Sequence, residues 1–182
     1  KKAQVSLAYG IFYQKPEANQ LYAGSNVGFT KAIHYIVSYQ KVDNDRIFRT
    51  EAYYKKYEDL IKQIPVSTSY TTYNNSGDGY AKGADVFFRD KKTFKNLDYW
   101  DCYSYIDTKR NYNNFPDLLQ PNFAANHNVS IVTKRFFTEI KSGFNLTYSW
   151  ASGRPYYNIL TDVNNKYFIA DPGKAKTYNN LS

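Results

Sequence analysis

Apolar and polar side chains alternate along seven stretches of about ten residues in this chain. The stretches cover approximately residues 4–14, 31–41, 46–56, 81–91, 97–108, 124–137 and 142–152. A period of two places successive side chains on opposite faces of a β-strand. A ten-residue strand tilted by about 40° rises through roughly 25 Å, the height of the apolar band of an outer-membrane barrel. The pattern predicts an all-β, antiparallel up-and-down meander of about seven or eight long strands that is part of a transmembrane β-barrel.

The connections between these stretches alternate between long and short. Short turns are predicted at 42–45, 91–96 and 138–141, and long loops at 15–30, 57–80 and 109–123. Asn and Gly at 74–79, together with Pro65, are typical of turns and argue against regular structure in the second loop. Residues 153–177 are predicted to be irregular, 178–182 to open an eighth strand, and 57–63 to hold the one helical turn. Barrels have short periplasmic turns and long outer loops, so the first strand is predicted to run outward from the periplasm.

A soluble β-sandwich is the main structural alternative, because its strands also have one apolar and one polar face. Sandwich strands are typically five or six residues long, and their loops do not lengthen at one end only. The strand length therefore favours the membrane barrel.

The composition indicates many amphipathic aromatic residues rather than a large aliphatic core. The 182 residues, enough for one domain, include 20 Tyr, 12 Phe and 2 Trp, while the mean hydropathy is −0.67. Such rings suit the aromatic girdles of a bilayer interface, and they also suit sugar-binding surfaces. No apolar run of about eighteen residues occurs, which excludes a transmembrane helix. The net charge of +8 comes without a nucleic-acid-binding motif, so no nucleic-acid partner is expected.

The two strand faces are predicted to meet different surroundings. Charged residues of the mixed face are predicted to line a hydrated lumen: Arg49, Glu51, Lys55, Asp85, Arg89, Asp101, Asp107 and Lys134. Bulky residues of the other face are predicted to contact lipid: Tyr35, Tyr54, Trp100, Phe144, Leu146, Tyr148 and Trp150. The alternation is clearest at 142–152.

Ligand contact is predicted for the long loops, where aromatic and basic side chains can stack and form hydrogen bonds. The candidates are Tyr70, Tyr73, Tyr80, Tyr112, Arg154, Tyr156 and Tyr157. Packing of one loop against another is the alternative role of each.

Residues suited to catalysis or metal binding are sparse. The two histidines, His34 and His127, lack partners at metal-ligand spacing, and the single Cys102 is interpreted as apolar filler. Asp101 and Asp107 lie about 20 Å apart along one strand, too far for a pair of glycosidase carboxylates. No nucleophile elbow or phosphate loop occurs. The chain is therefore predicted not to be an enzyme and to need no metal or other cofactor.

Five short strings resemble the late barrel strands of TonB-dependent outer-membrane receptors, especially the Bacteroidetes type with a carboxypeptidase-regulatory-like extension. They are 51–57 (EAYYKKY), 77–83 (GDGYAKG), 103–108 (YSYIDT), 123–127 (FAANH) and 152–157 (SGRPYY). Together they span nearly the whole chain in the expected order.

This resemblance implies a bacterial outer-membrane barrel of 22 strands, closed by a plug, which takes up a scarce nutrient with force from TonB. Metal chelates, vitamins, glycans and peptides are the nutrient classes. Residues 1–182 would be a single barrel segment, a fragment lacking the plug and the remaining strands. The implied partners are outer-membrane lipid, the receptor's own plug and other strands, the TonB complex through the absent N-terminal part, and a surface lipoprotein. Two alternatives stay open: a complete eight-stranded barrel with an adhesive or structural role, and a soluble sugar-binding sandwich.

Overall fold

The computed structural model describes residues 2–22, 26–67 and 70–182 and consists almost entirely of β-strands. One short helix, α1, covers Ala18–Tyr22. The strands are β1 (Lys2–Gln14), β2 (Thr30–Asp43), β3 (Arg46–Ser67), β4 (Tyr70–Asp90), β5 (Leu97–Asn111), β6 (His127–Phe137), β7 (Ser142–Ala151), β8 (Pro155–Thr161), β9 (Tyr167–Lys174) and β10 (Tyr178–Leu181).

Eight of these strands form one antiparallel sheet in the order β1-β2-β3-β4-β5-β6-β7-β10. The prediction of an all-β antiparallel meander is therefore confirmed. Strands β8 and β9 form a separate two-stranded sheet. Within the described ranges, β1 pairs only with β2 and β10 pairs only with β7, so the eight-stranded sheet is open at both edges.

The three short turns fall where the sequence predicts them: two residues join β2 to β3, six join β4 to β5, and four join β6 to β7. Within the large sheet, the connections from β1 to β2, from β5 to β6 and from β7 to β10 are long, whereas only residues 68–69 separate β3 from β4. We call the two ends of the sheet the short-turn end and the long-loop end. Parts of two predicted long loops, at 23–25 and 68–69, lie outside the described residues. Within the part of the chain that the structure describes, no helix is long and apolar enough to cross a membrane.

The prediction of an irregular loop at 57–80 is wrong, as is the helical turn at 57–63. Strand β3 continues to Ser67 and β4 begins at Tyr70, so this segment is an extension of the β3–β4 hairpin with register shifts around Leu60. Gly77 makes the pairing possible. A Cβ there would lie 2.6 Å from the Leu60 carbonyl oxygen and would also collide with the Asn111 carbonyl. The glycine permits close approach of backbones rather than forming a turn.

The prediction of irregular structure at 153–177 is also wrong in part, because this segment contains the β8–β9 hairpin. Its turn is organised by Asp162, whose Oδ1 accepts hydrogen bonds from the backbone N–H groups of Asn164 (2.9 Å) and Lys166 (2.7 Å). These backbone donors, that of Lys166 foremost, hold the pKa of Asp162 below its usual value. Asn165 adopts a positive φ of 56°, a conformation that Asn tolerates better than most residues. The hairpin therefore has local turn chemistry of its own.

Cross-strand pairing assigns every residue of the large sheet to one of two faces. Leu7, Val37, Ala52, Ala84 and Tyr105 form one row on what we call the apolar face. The adjacent row contains Ser6, Ser38, Glu51, Asp85 and Ser104 and lies on what we call the polar face.

The apolar face is uncovered. Leu7 is 80% exposed, and Phe144 is 56% exposed. The buried apolar residues lie mainly at the long-loop end instead: Val27, Leu60, Ile61, Ala81, Phe115, Ala124 and Ala125. A sandwich would bury the apolar face against a second sheet, and within the described ranges no second sheet covers it.

Three face assignments made from the sequence are wrong, all of them on β5. Trp100 pairs with Arg89 and therefore lies on the polar face, whereas Trp150 lies on the apolar face. Asp101 and Asp107 lie on the apolar face, since Asp101 pairs with Phe88. The alternation on β5 is real, but both of its faces carry bulky or acidic residues, so hydrophobicity alone does not show which face is which.

Candidate functional site

The apolar face has charged borders on two adjacent strands. On β2, Lys31 and Lys41 flank an uninterrupted apolar and aromatic series, and on β3, Arg46 and Lys56 flank a series in which Thr50 is the one polar residue. Each flanking pair is ten residues apart, which corresponds to about 33 Å along a strand and roughly 25 Å in height at a tilt of 40°. The flanked residues are Ile33, Tyr35, Val37 and Tyr39 on β2, and Phe48, Thr50, Ala52 and Tyr54 on β3. The height of this band equals that of the hydrocarbon-facing belt of outer-membrane barrels.

The polar face carries its strongest ion pair near the short-turn end. Arg89 donates two hydrogen bonds to Asp98, from Nε to Oδ1 (2.9 Å) and from a terminal nitrogen to Oδ2 (2.6 Å). The Arg89 guanidinium also lies 5.5 Å from the Trp100 ring centre, and the Lys134 ammonium lies 5.1 Å from the same ring. Trp100 is thus enclosed by cations on the polar face, which explains why it does not share the surroundings of Trp150.

Farther along the polar face lies a concavity of about 340 Å³. Glu51 and Asp85 are directly opposite each other in the strand register, and Arg49 lies beside them with its guanidinium 5.6 Å from the Phe87 ring centre. Cys102 and Ser104 line the same concavity. Six of the eight residues predicted to line a lumen share this face: Arg49, Glu51, Lys55, Asp85, Arg89 and Lys134.

At the long-loop end, Arg110 lies among three aromatic rings. Its guanidinium carbon is 4.3 Å from the ring centre of Tyr57, 5.8 Å from that of Tyr112 and 5.5 Å from that of Phe123. The buried Nε of Arg110 has no hydrogen-bond partner among the described residues. The arrangement fixes the guanidinium plane by cation–π contacts.

The β5–β6 connection is held against the sheet by backbone pairing. Arg110 and Leu119 exchange hydrogen bonds of 2.7 and 3.1 Å. Asn113 donates to the Ile61 carbonyl and accepts from the Gln63 N–H, each at 2.8 Å. The connection is therefore an ordered cap over one end of the sheet.

The seven loop residues predicted to bind ligand are not brought together. Tyr112 and Tyr157 are joined through Phe115, with ring centres 5.1 and 5.9 Å from it, and burial raises the pKa of both phenols. Tyr70 and Tyr73 lie near the tip of the β3–β4 hairpin, and Arg154 and Tyr156 lie at the start of β8. Tyr80 lies on the apolar face and donates to Asp107.

Sequence reasoning missed Arg110, Tyr57 and Phe123. They come from β3, β5 and the β5–β6 connection, so no local spacing links them. A guanidinium near several loop aromatics was the only signal available. No group of three or more His, Cys, Asp or Glu residues that could hold a metal ion occurs in the part of the chain that the structure describes.

No family model and no curated protein matches the chain. Among solved structures, it is similar to the outer membrane transporter YddB from Escherichia coli, with a TM-score of 0.57 and 16% sequence identity. The match covers 82% of this chain and 26% of that transporter, so this chain spans about a quarter of the transporter's length. The similarity shows the fold alone, an antiparallel β-meander like that of part of this transporter.

Proposed function

We propose that the chain forms part of the wall of a bacterial outer-membrane β-barrel that imports a scarce nutrient, with the apolar face in lipid and the polar face toward the lumen. The observation that carries this proposal is the band on β2 and β3, because two independent strands place charges at the same ten-residue spacing. A water-soluble protein has no reason to match this spacing to the thickness of a bilayer.

Uptake energised by TonB is the finer part of the proposal. It is supported by the resemblance of five strings to TonB-dependent receptors and by the fold shared with an outer-membrane transporter. In this proposal a plug domain fills the lumen beside the polar face, further strands continue the sheet from β1 and β10, and the TonB complex acts through the plug. A metal chelate, vitamin, glycan or peptide is the cargo. The long loops, with Arg110 and its aromatic neighbours, would lie outside the cell, where a surface lipoprotein could dock.

A complete eight-stranded barrel is a second candidate, because the large sheet has eight strands. Closure would require β1 to pair with β10. Strands β1 and β10 do not pair within the described residues. The wider barrel is therefore favoured.

Thiol labelling tests which face meets lipid, because the single cysteine lies on the polar face and its neighbour on the apolar face. The natural protein should react at Cys102 with a charged, membrane-impermeant reagent. A variant combining Cys102→Ser with Tyr103→Cys should react only with a lipid-soluble maleimide. Equal reaction of both variants with the charged reagent would contradict the membrane assignment.

Growth on the nutrient tests the energised step. Deleting TonB should abolish uptake while cells still bind the nutrient. Uptake that persists without TonB would restrict the proposal to a passive barrel.

A further inference from the structure

Four consecutive strands each place one lysine on the apolar face at the long-loop end. The residues, which we call the lysine belt, are Lys31 on β2, Lys56 on β3, Lys82 on β4 and Lys109 on β5. Neighbouring strands lie about 4.8 Å apart, so the belt is about 14 Å wide. It forms the border of the apolar band described above.

Two carboxylates hold the belt in place without neutralising it. Glu58 bonds the ammonium groups of both Lys31 (2.9 Å) and Lys56 (2.7 Å), and Asp107 lies 3.3 Å from the Lys82 ammonium. Four ammonium groups therefore meet two carboxylates in direct contacts, and the Asp59 carboxylate acts on Lys31 from farther away. Even with Asp59 counted, the belt keeps a positive excess. The side chains of Lys56 and Lys82 are 54% and 55% exposed, so their remaining hydrogen-bond donors are accessible.

The border at the short-turn end differs in how its cation is paired. There Arg46, whose side chain is 46% exposed, bonds Asp90, a carboxylate that is 2% exposed and also accepts from the backbone of Lys92 and Thr93. This cation therefore shares its carboxylate with the backbone of a turn. The two borders are therefore suited to different roles.

We propose that the lysine belt binds phosphate groups of lipid headgroups in the leaflet on the long-loop side. The inference rests on the proposed membrane placement and adds a specific lipid contact to it. At the edge of a hydrocarbon-height band, lysine side chains extend along the apolar surface and place their ammonium groups at headgroup level. An ammonium is a compact charge with three donors, which suits phosphate, and the positive excess of the belt matches an anionic headgroup rather than a zwitterionic one.

Native mass spectrometry of the detergent-purified protein at its full natural length tests this proposal. The probe is a diphosphorylated disaccharide lipid, compared with the same lipid after removal of its phosphates. The test variant combines Lys56→Gln, Lys82→Gln and Lys109→Gln. The matched control, Lys41→Gln with Lys92→Gln and Lys95→Gln, removes three charges near the short-turn end.

The test variant should bind the phosphorylated lipid at least tenfold more weakly, and the control should change binding less than twofold. Both should bind the dephosphorylated lipid as the natural protein does. Equal losses in both variants, or no loss in either, would overturn the proposal. Competition by inorganic phosphate at low millimolar concentration would reassign the belt to free phosphate and overturn the lipid assignment.

The thiol-labelling experiment separates this failure from failure of the proposed function. If Tyr103→Cys reacts only with the lipid-soluble reagent while the belt variant binds lipid normally, the belt alone is wrong. If the labelling itself fails, the membrane placement fails and the belt with it.

Discussion

Placing a charge at the centre of the apolar band is the most direct test of the assigned faces. Val37 lies one residue from the midpoint between Lys31 and Lys41, and it is 44% exposed on the apolar face. Its neighbour Ser38 lies on the polar face opposite Glu51. Val37→Arg and Ser38→Arg therefore introduce the same charge at almost the same height, on opposite faces.

The expected costs differ because the surroundings of the two faces differ. One residue off the midpoint corresponds to a depth of only about 2.5 Å from the bilayer centre. Arginine on a lipid-facing strand there costs about 2–4 kcal/mol, whereas substitutions on the hydrated polar face cost little. For a protein whose apolar face met water, replacing a 44% exposed valine would change stability by less than about 0.5 kcal/mol.

Urea titration of the protein folded in phospholipid vesicles, followed by intrinsic fluorescence, measures both free energies of unfolding. Val37→Arg should lower the midpoint strongly, and Ser38→Arg should leave it within the range of an ordinary surface substitution. Costs that are equal for the two variants, or below about 0.5 kcal/mol for Val37→Arg, would refute the assignment of the apolar face to lipid.

Three further predictions concern other parts of the molecule. Asp101→Leu should stabilise the protein in vesicles by on the order of 1 kcal/mol, because it removes a carboxylate from the apolar face; a lower urea midpoint for the variant would contradict this. Gly77→Ala should cost about 1–3 kcal/mol by overpacking and expose the β3–β4 extension to protease, whereas the control Gly28→Ala, whose nearest atom is 3.9 Å away, should not. The pKa of Asp162 is lowered on folding, so the stabilisation of the β8–β9 turn by this carboxylate should be complete above the ordinary carboxyl pKa of about 4. It should be lost as the pH falls through the lowered pKa. Hydrogen exchange of the Lys166 amide should show this loss, and Asp162→Asn should abolish the pH dependence.

The extent of the large sheet could be predicted where one face of a strand is uniformly apolar. Strand β7 is the clearest example, since Phe144, Leu146, Tyr148 and Trp150 alternate with small polar residues. The outer half of the β3–β4 hairpin could not be predicted in this way. Its Asn and Gly residues allow the strands of a twisted, irregular ladder to approach each other closely. Turns are rich in the same residue types, so the sequence does not distinguish the two structures.

The faces of β5 show a second limit of sequence patterns. Trp100 is large and apolar in composition, yet its position between two cations depends on residues of β4 and β6. The Arg110 cluster could not be predicted for the same reason. Tyr57 reaches Arg110 through the register of β3, β4 and β5, and Phe123 reaches it only after the β5–β6 connection folds back. Alternation gives the period of a strand, and only cross-strand register assigns the faces.

The distribution of buried residues argues that two different media stabilise this sheet. Seven strands about 4.8 Å apart and about 33 Å long present an apolar face of roughly 950 Å², which exceeds the largest patch of a typical soluble monomer, about 600 Å². The buried residues Leu60, Ile61 and Phe115 instead lie beyond this face, at the long-loop end. In the proposed placement, the loop end therefore holds its shape in water by its own packing, and the band below it contacts the hydrocarbon of the membrane. The lysine belt lies at the boundary between these two regions, where a membrane surface would place headgroups.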